Sequence, residues 1–231
     1  METGAGRGPA AEPRRIRPAH VVAALMCAAL VGVGAAVIVH SLTSKSAPGM
    51  VPAPKTYGLY GAATWAAGAR PAPAISTLHD QTGASFSLAS LRGRTVAMTF
   101  FDSHCHAECP LEGRAVAIAE RALPPSERPV VVAVSINPLD TPASARAASR
   151  AWGLAAVAAW HWLMGTRKQL APIWKAYGVY VSPHPVNGDI EHTEALMLID
   201  RRGYERSYYL YPFAPRYVTS DLRTLARVKL S

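Results

Sequence analysis

Val96-Ala-Met-Thr-Phe-Phe101-Asp-Ser-His-Cys105-His-Ala-Glu-Cys109-Pro110 is an apolar run that breaks into a polar turn carrying two thiols and then meets a proline. The run reads as a strand, and Leu111 to Leu123 behind it as a helix. A strand that ends in two cysteines and passes into a helix presents both sulfurs at one exposed helix N-terminus. Unpaired N–H groups and the positive end of the dipole stabilise a thiolate there, the form that attacks disulfides and binds metals. Residues at i and i+4 share a helix face, and their Cα separation of roughly 6 Å suits a disulfide. The chemistry is thereby limited to redox exchange or soft-metal binding. His104, His106, Glu108 and Pro110 give the pair a polar, loop-like setting, unlike two cysteines packed as small hydrophobes in a core.

Short β-branched runs alternate with helical patterns around this stretch, the sign of a parallel-rich α/β sheet. Val96 to Phe101 is predicted as the first core strand and Val130 to Ile136 as the second. The helix between them places Ala115, Ile118, Ala119 and Ala122 on one face. Asp140-Thr141-Pro142 supplies an N-cap and a proline for a helix running to about Trp152. Arg167 to Tyr177 reads as another, with Leu170, Ile173 and Trp174 apolar and Gly178 as its stop. Ala195 to Asp200 is a buried strand, Arg201-Arg202-Gly203 a turn, Tyr204 to Tyr211 the antiparallel return, and Thr219 to Arg227 a closing helix. Ser76 to Ser87, around Asp80-Gln-Thr-Gly83, predicts a small hairpin that caps the sheet. The order of elements, with paired thiols after the first core strand, resembles the thioredoxin fold, although fold alone does not fix function. Met98, Met164 and Met197 are assigned to the core, and Trp152, Trp160, Trp162 and Trp174 to helical or loop-packing positions.

Upstream, Val21 to Val39 is uncharged and follows Arg7, Arg14, Arg15 and Arg17. Such a run predicts a membrane-spanning helix with its N-terminus in the cytoplasm; a cleaved signal peptide is the rival reading. The predicted organisation is a basic cytoplasmic segment 1–20, an anchor 21–42, a Pro/Ala/Gly-rich tether 43–73 with few core-forming side chains, and one extracytoplasmic domain 74–231. The third cysteine, Cys27, lies in the anchor. The formal charge is +9. Its arginines are dispersed over several elements, with neither a groove-entering element nor stacking aromatics among them, which excludes a nucleic-acid surface and suits a position near anionic lipid or an acidic partner.

His192 stands in the polar run Gly188 to Thr193, before the third core strand. A thioredoxin-like arrangement brings that loop beside the thiols, although a histidine before a strand is, taken alone, more often a surface residue. His104 and His106 flank the first thiol as candidate transient donors, Asp102 is either a proton acceptor for a buried thiol or a turn cap, and His184 reads as a loop residue.

The string Phe100 to Pro110, then Asn137-Pro-Leu-Asp-Thr-Pro142, Trp162-Leu-Met-Gly165, Tyr177-Gly-Val-Tyr180, and Glu191-His192-Thr193 before Leu198-Ile-Asp200-Arg-Arg-Gly203, resembles the Sco/SenC family over roughly Arg70 to Tyr211. The resemblance implies a membrane-anchored, thioredoxin-like copper metallochaperone for cytochrome c oxidase assembly. It implies copper ligation by Cys105, Cys109 and His192 and a copper-site oxidase subunit as partner; since an oxidised pair cannot bind copper and must be reduced first, a thiol reductant is a further expected partner. Many members carry Pro-Asp where this chain has His106-Ala107, and Ser182 to Asn187 reads as an insertion of its own; neither touches the ligand set. Thiolates favour Cu(I) and imidazole suits both copper oxidation states, while zinc also accepts a Cys2His set. A thiol-disulfide oxidoreductase needing only the two cysteines is the alternative of another class. A peroxidase is disfavoured by Asp102 at the position where the peroxiredoxin pattern has a threonine, and a sensor by the absence of an output domain in the short N-terminal segment.

Overall fold

The computed structural model describes residue 54, residues 56–185 and residues 189–228 of the chain. The predicted anchor, Cys27 and the first part of the tether lie outside the described residues, as do 186 and 187 of the predicted insertion and Gly188 of the polar run before His192. Among the described residues no helix is long and apolar enough to cross a membrane.

Among the described residues six strands form one sheet: β1 (Ala63–Thr64), β2 (Val96–Phe101), β3 (Val130–Ser135), β4 (Trp160–Leu163), β5 (Ala195–Ile199) and β6 (Glu205–Leu210). Their spatial order is β1-β6-β5-β2-β3-β4, with β2, β3 and β4 parallel and β5 antiparallel to β2. The helices are α1 (Cys109–Arg121), α2 (Pro142–Trp152), α3 (Arg167–Ala176) and α4 (Pro215–Ala226). This is the α/β arrangement expected from the strand and helix order, with β2, α1 and β3 as its central crossover unit.

Every residue of β2, β3 and β5 is buried, as continuous apolar runs covered on both faces require. Alternate residues feed two cores. Ala97, Phe101, Val131, Ala133, Leu196 and Leu198 face α1, α2 and α4. Val96, Met98, Phe100, Val132, Val134 and Met197 face α3 and the segment around Ile75, Leu78 and Phe86. Thr141 caps α2 in a reciprocal box with Ser144, and Pro142 sits in its first turn. Gly178 takes φ 68° after α3, a left-handed stop that glycine adopts without strain.

Four expectations need correction. Trp160 and Trp162 are neither helical nor loop-packing: they lie in β4, an edge strand too short for its alternation to register in the sequence. Ile118 and Ala122 are exposed, whereas α1 buries Cys109, Glu112, Gly113, Val116 and Glu120. The buried carboxylates find donors, Thr99 Oγ1 for Glu112 at 2.7 Å and the Ala158 N–H for Glu120 at 3.0 Å, so charge here does not mark the solvent face. The closing helix begins at Pro215, four residues before Thr219, because Pro215 supplies a first turn that needs no N–H.

The fourth concerns the stretch read as tether. From Thr56 on it runs along β6 and packs. Leu59 is fully buried, the Tyr60 N–H bonds to the Asp221 carboxylate at 3.0 Å, and Trp65 N–H bonds to the Arg206 carbonyl at 3.0 Å. Arg70 pairs with Glu205. Its small residues serve close approach: a Cβ on Gly61 would collide with Ser207. The predicted hairpin at 76–87 is present as one bridge, His79 to Ser85, and His79 also bridges Met164 beside β4, so it does cover that edge.

Candidate metal centre

The C-terminal end of β2 sets the site. After Phe101 the chain turns, the Cys105 N–H bonding to the Asp102 carbonyl at 3.1 Å, and enters α1 at Cys109. Glu108, the residue before the helix, makes no side-chain cap; Pro110 has no N–H and the Leu111 and Glu112 N–H groups bond to the Glu108 carbonyl, which leaves the Cys109 N–H for the Cys105 sulfur. Cys105 accepts from the Cys109 thiol and from the N–H groups of Cys109 and Ala107, and these hold it at about 7 against the opposing effect of its burial. Cys109 is fully buried, and its role as donor to Cys105, then desolvation, push its own pKa well up. Cys105 therefore ionises first. Both cysteines are free thiols.

His192 comes to the same place. It lies on a short antiparallel ladder, paired with Val181 and flanked by bonds from Ser182 N–H to the Glu191 carbonyl (2.8 Å) and from Thr193 N–H to the Tyr180 carbonyl (2.9 Å). Its Nδ1 stands 3.1 Å from the Thr193 carbonyl, which can only accept, so Nδ1 carries the proton. Nε2 is then a lone pair, and it stands 3.5 Å from the Cys109 sulfur. Burial lowers the pKa of His192 and keeps the ring neutral. A neutral imidazole whose far N–H is fixed by a carbonyl is the form that ligates a metal.

The three predicted donors are thus brought together around Cys109, whose sulfur meets both Cys105 and His192. The donor set, two sulfurs and one imidazole nitrogen, fits a soft thiophilic metal. The other candidates fall elsewhere. His104 is half exposed, with Nδ1 3.4 Å from both Asp102 and Asp140, and these three offer donor atoms within 4.8 Å of one another. The two carboxylates are already engaged. Asp102 accepts from His104 N–H and Asn137, and Asp140 from Ser103, Ser135 and Trp162. Asp102 is the turn cap of the two roles read for it. His106 contributes its N–H to Asp189 at 3.2 Å, which ties the thiol loop to the histidine loop. His184 sits in the Ser182–Pro185 loop, its carbonyl accepting from the Ser182 hydroxyl.

Two features had no part in the sequence reading. Glu112, three residues after Cys109 on the same side of α1, is fully buried, and desolvation raises its pKa to about 8. One of its oxygens accepts from Thr99 and the other has no partner. The cleft beside Cys105 and His192 is lined by Glu108, Asp189, Glu191 and Glu194, an acidic mouth on a basic protein. Burial, then Glu108 and Cys105, raise Glu194 to about 7. The spacing of Glu112 from Cys109 was a usable signal for the first; the second needs the tertiary fold.

The family described as SCO1/SenC matches residues 74–227. Among solved structures, the chain is similar to Bradyrhizobium japonicum ScoI with copper bound, at 25% identity over 67% of this chain and 99% of that one, TM-score 0.57. It is similar to a SCO1/SenC family lipoprotein from Bacillus anthracis, at 21% identity over 68% and 96%, TM-score 0.61. Yeast Sco1 with copper bound matches at 19% identity over 70% and 91%, TM-score 0.58. None of the curated proteins compared matches the chain.

Proposed function

The chain belongs to the SCO1/SenC family, and on that premise we propose that it is a membrane-anchored copper metallochaperone serving the copper-site subunit of a cytochrome c oxidase. Copper is its cargo, held by the sulfurs of Cys105 and Cys109 and by Nε2 of His192. Segment 21–42 is the anchor, and the domain works outside the cytoplasm. The observation that carries this reading is the His192 ring, with Nδ1–H committed to the Thr193 carbonyl and Nε2 aimed at the Cys109 sulfur 3.5 Å away.

Cys105, near half-ionised at neutral pH, is the natural first ligand for an arriving Cu(I) ion. Cys109 releases its proton as the metal takes the second sulfur, and His192 joins without losing one. Release to the partner proceeds by exchange of these ligands one at a time. The acidic mouth favours a cation over an anion at the entrance.

The asymmetry of the two thiols favours a second activity. A thiolate with a pKa near ambient pH is the best attacker of a disulfide. Cys105 attacks one sulfur of a partner disulfide, forming a mixed disulfide and releasing the other sulfur as a thiol. Cys109, losing its proton, then displaces the second partner thiol and closes the Cys105–Cys109 bond. Two electrons pass to the partner, and a thiol reductant must restore the pair.

The test is competition of the reduced full chain in detergent against a Cu(I) chelator. His192→Ala should weaken binding by at least about tenfold, and Cys105→Ser with Cys109→Ser should abolish it. Equal affinity in all forms refutes the site. Disulfide reduction should survive His192→Ala and vanish with either cysteine.

A further inference from the structure

The end of the sheet away from the thiols carries a second constellation. β2 runs toward the site and the antiparallel β5 away from His192, so the registered pair Val96 and Ile199 marks the far end. A cavity of about 190 Å³ opens there, with Leu88, Leu91, Val96 and Ile199 in its wall and Arg92 and Arg94 at its rim. Two loops close on each other beside it: Gly93 N–H bonds to the Arg201 carbonyl at 2.8 Å, and Arg201 Nε to the Gly93 carbonyl at 2.9 Å. The Arg92 guanidinium lies over Gly203, in space that any side chain there would occupy.

Arg92, Arg94, Arg201 and Arg202 are gathered here, and among the described residues none of them has a carboxylate partner. The nearby acid, Asp200, is buried and occupied by Arg206 and by the N–H groups of Arg202 and Tyr204. Guanidinium groups without a counter-charge keep forked donors that match the two oxygens of a phosphate. An apolar floor beneath such a rim adds a place for the hydrocarbon that follows a headgroup.

We propose that this end of the domain is a docking site for anionic phospholipid. The phosphate sits on Arg92, Arg94 and Arg202, and the glycerol and first methylenes enter the cavity. Attraction of this end to an anionic bilayer turns the thiols, at the opposite end of the sheet, away from it. The site is independent of the copper ligands and acts whether or not segment 21–42 spans the bilayer.

The experiment uses the full chain in nanodiscs, with methyl NMR of Leu88, Leu91, Val96 and Ile199. Phosphatidylglycerol in the disc should shift these methyls, and phosphatidylcholine alone should not. Titration with submicellar dihexanoylphosphatidylglycerol should saturate, each arginine changed to serine (Arg92→Ser, Arg94→Ser, Arg202→Ser) weakening it by about fivefold. Cu(I) affinity of these variants should match that of the parent, which separates failure here from failure of the copper reading. Methyls indifferent to phosphatidylglycerol, or an equal response in the single variants, overturn the proposal. So does a shift produced by polyglutamate and not by the lipid, which would mark an acidic protein as the partner.

Discussion

Glu112 shows what a single buried carboxyl does to this site. Its folded pKa of about 8 lies above the ordinary 4.5 because burial disfavours the anion, and its charge, once formed, opposes ionisation of Cys109. The sign of the linkage follows from proton binding. Below 4.5 the folded and unfolded chains both hold the proton; between 4.5 and about 8 only the folded chain does. Stability is therefore fully present on the acid side and falls as pH rises through that window, by up to about 1.4 kcal/mol per pH unit. Glu112→Gln keeps an oxygen for the Thr99 hydroxyl and cannot ionise. Thermal melts of the reduced, metal-free protein near 4.5 and near 8 should differ by less for the variant than for the parent, the remainder coming from other raised carboxyls such as Glu194, and an equal difference in the two refutes the assignment. Sequence legibility at this scale divides by chemistry. Cys105 and Cys109 announce themselves by spacing and setting, His192 is reached through family resemblance and not through its own context, and Glu112 looks like a surface charge until Thr99 is seen to meet it.

Elements were legible where their periodicity is long and their punctuation strong. β2, β3, β5 and α2 fall within a residue or so of where apolar runs, the Thr141 cap and Pro142 put them. β4 was missed because its four residues, Trp-His-Trp-Leu, look the same as a buried loop. β1 has two residues and is held by β6 more than by its own propensity. The face of α1 was misjudged because three neighbours, the sheet, α2 and α4, surround it and leave no single apolar stripe. Gly113 records how close α2 comes: a Cβ there would stand 3.1 Å from the Cβ of Trp152. Gly113→Ala should therefore separate α1 from α2 despite alanine's better helix propensity, costing about 1–3 kcal/mol as overpacked cores do. A lowered melting temperature checks this, and a raised one, the result expected from propensity alone, would show that Trp152 can yield. Since Cys109 opens α1, any tilt of the helix should also appear as a weaker Cu(I) site in the same variant.

On the scale of the molecule, charge is polarised along the sheet. Arg92, Arg94, Arg201 and Arg202 crowd one end, while Glu108, Asp189, Glu191 and Glu194 line the cleft at the other. The composition gives only a basic chain of +9 with dispersed arginines, because residues far apart in sequence are gathered at each pole by the fold. The two descriptions make opposite forecasts for a charged reagent approaching Cys105. Net charge favours an anion; the local field of the cleft favours a cation, since fields from nearby charges dominate once the distant ones are screened beyond about 10 Å of salt solution. Cystamine, a dicationic disulfide, should therefore exchange with Cys105 faster than the dianionic dithiodiglycolate, by about tenfold at about 0.1 M ionic strength, where the distant charges are screened and the cleft is not. Both rates should climb as pH passes through about 7, where Cys105 becomes thiolate. The preference should shrink with added salt and with Glu108→Gln combined with Glu191→Gln, read as mixed-disulfide formation on the Cys105 peptide by mass spectrometry. A faster reaction with the anion would show that the net charge of the chain, and not the acidic mouth, governs what reaches the thiols.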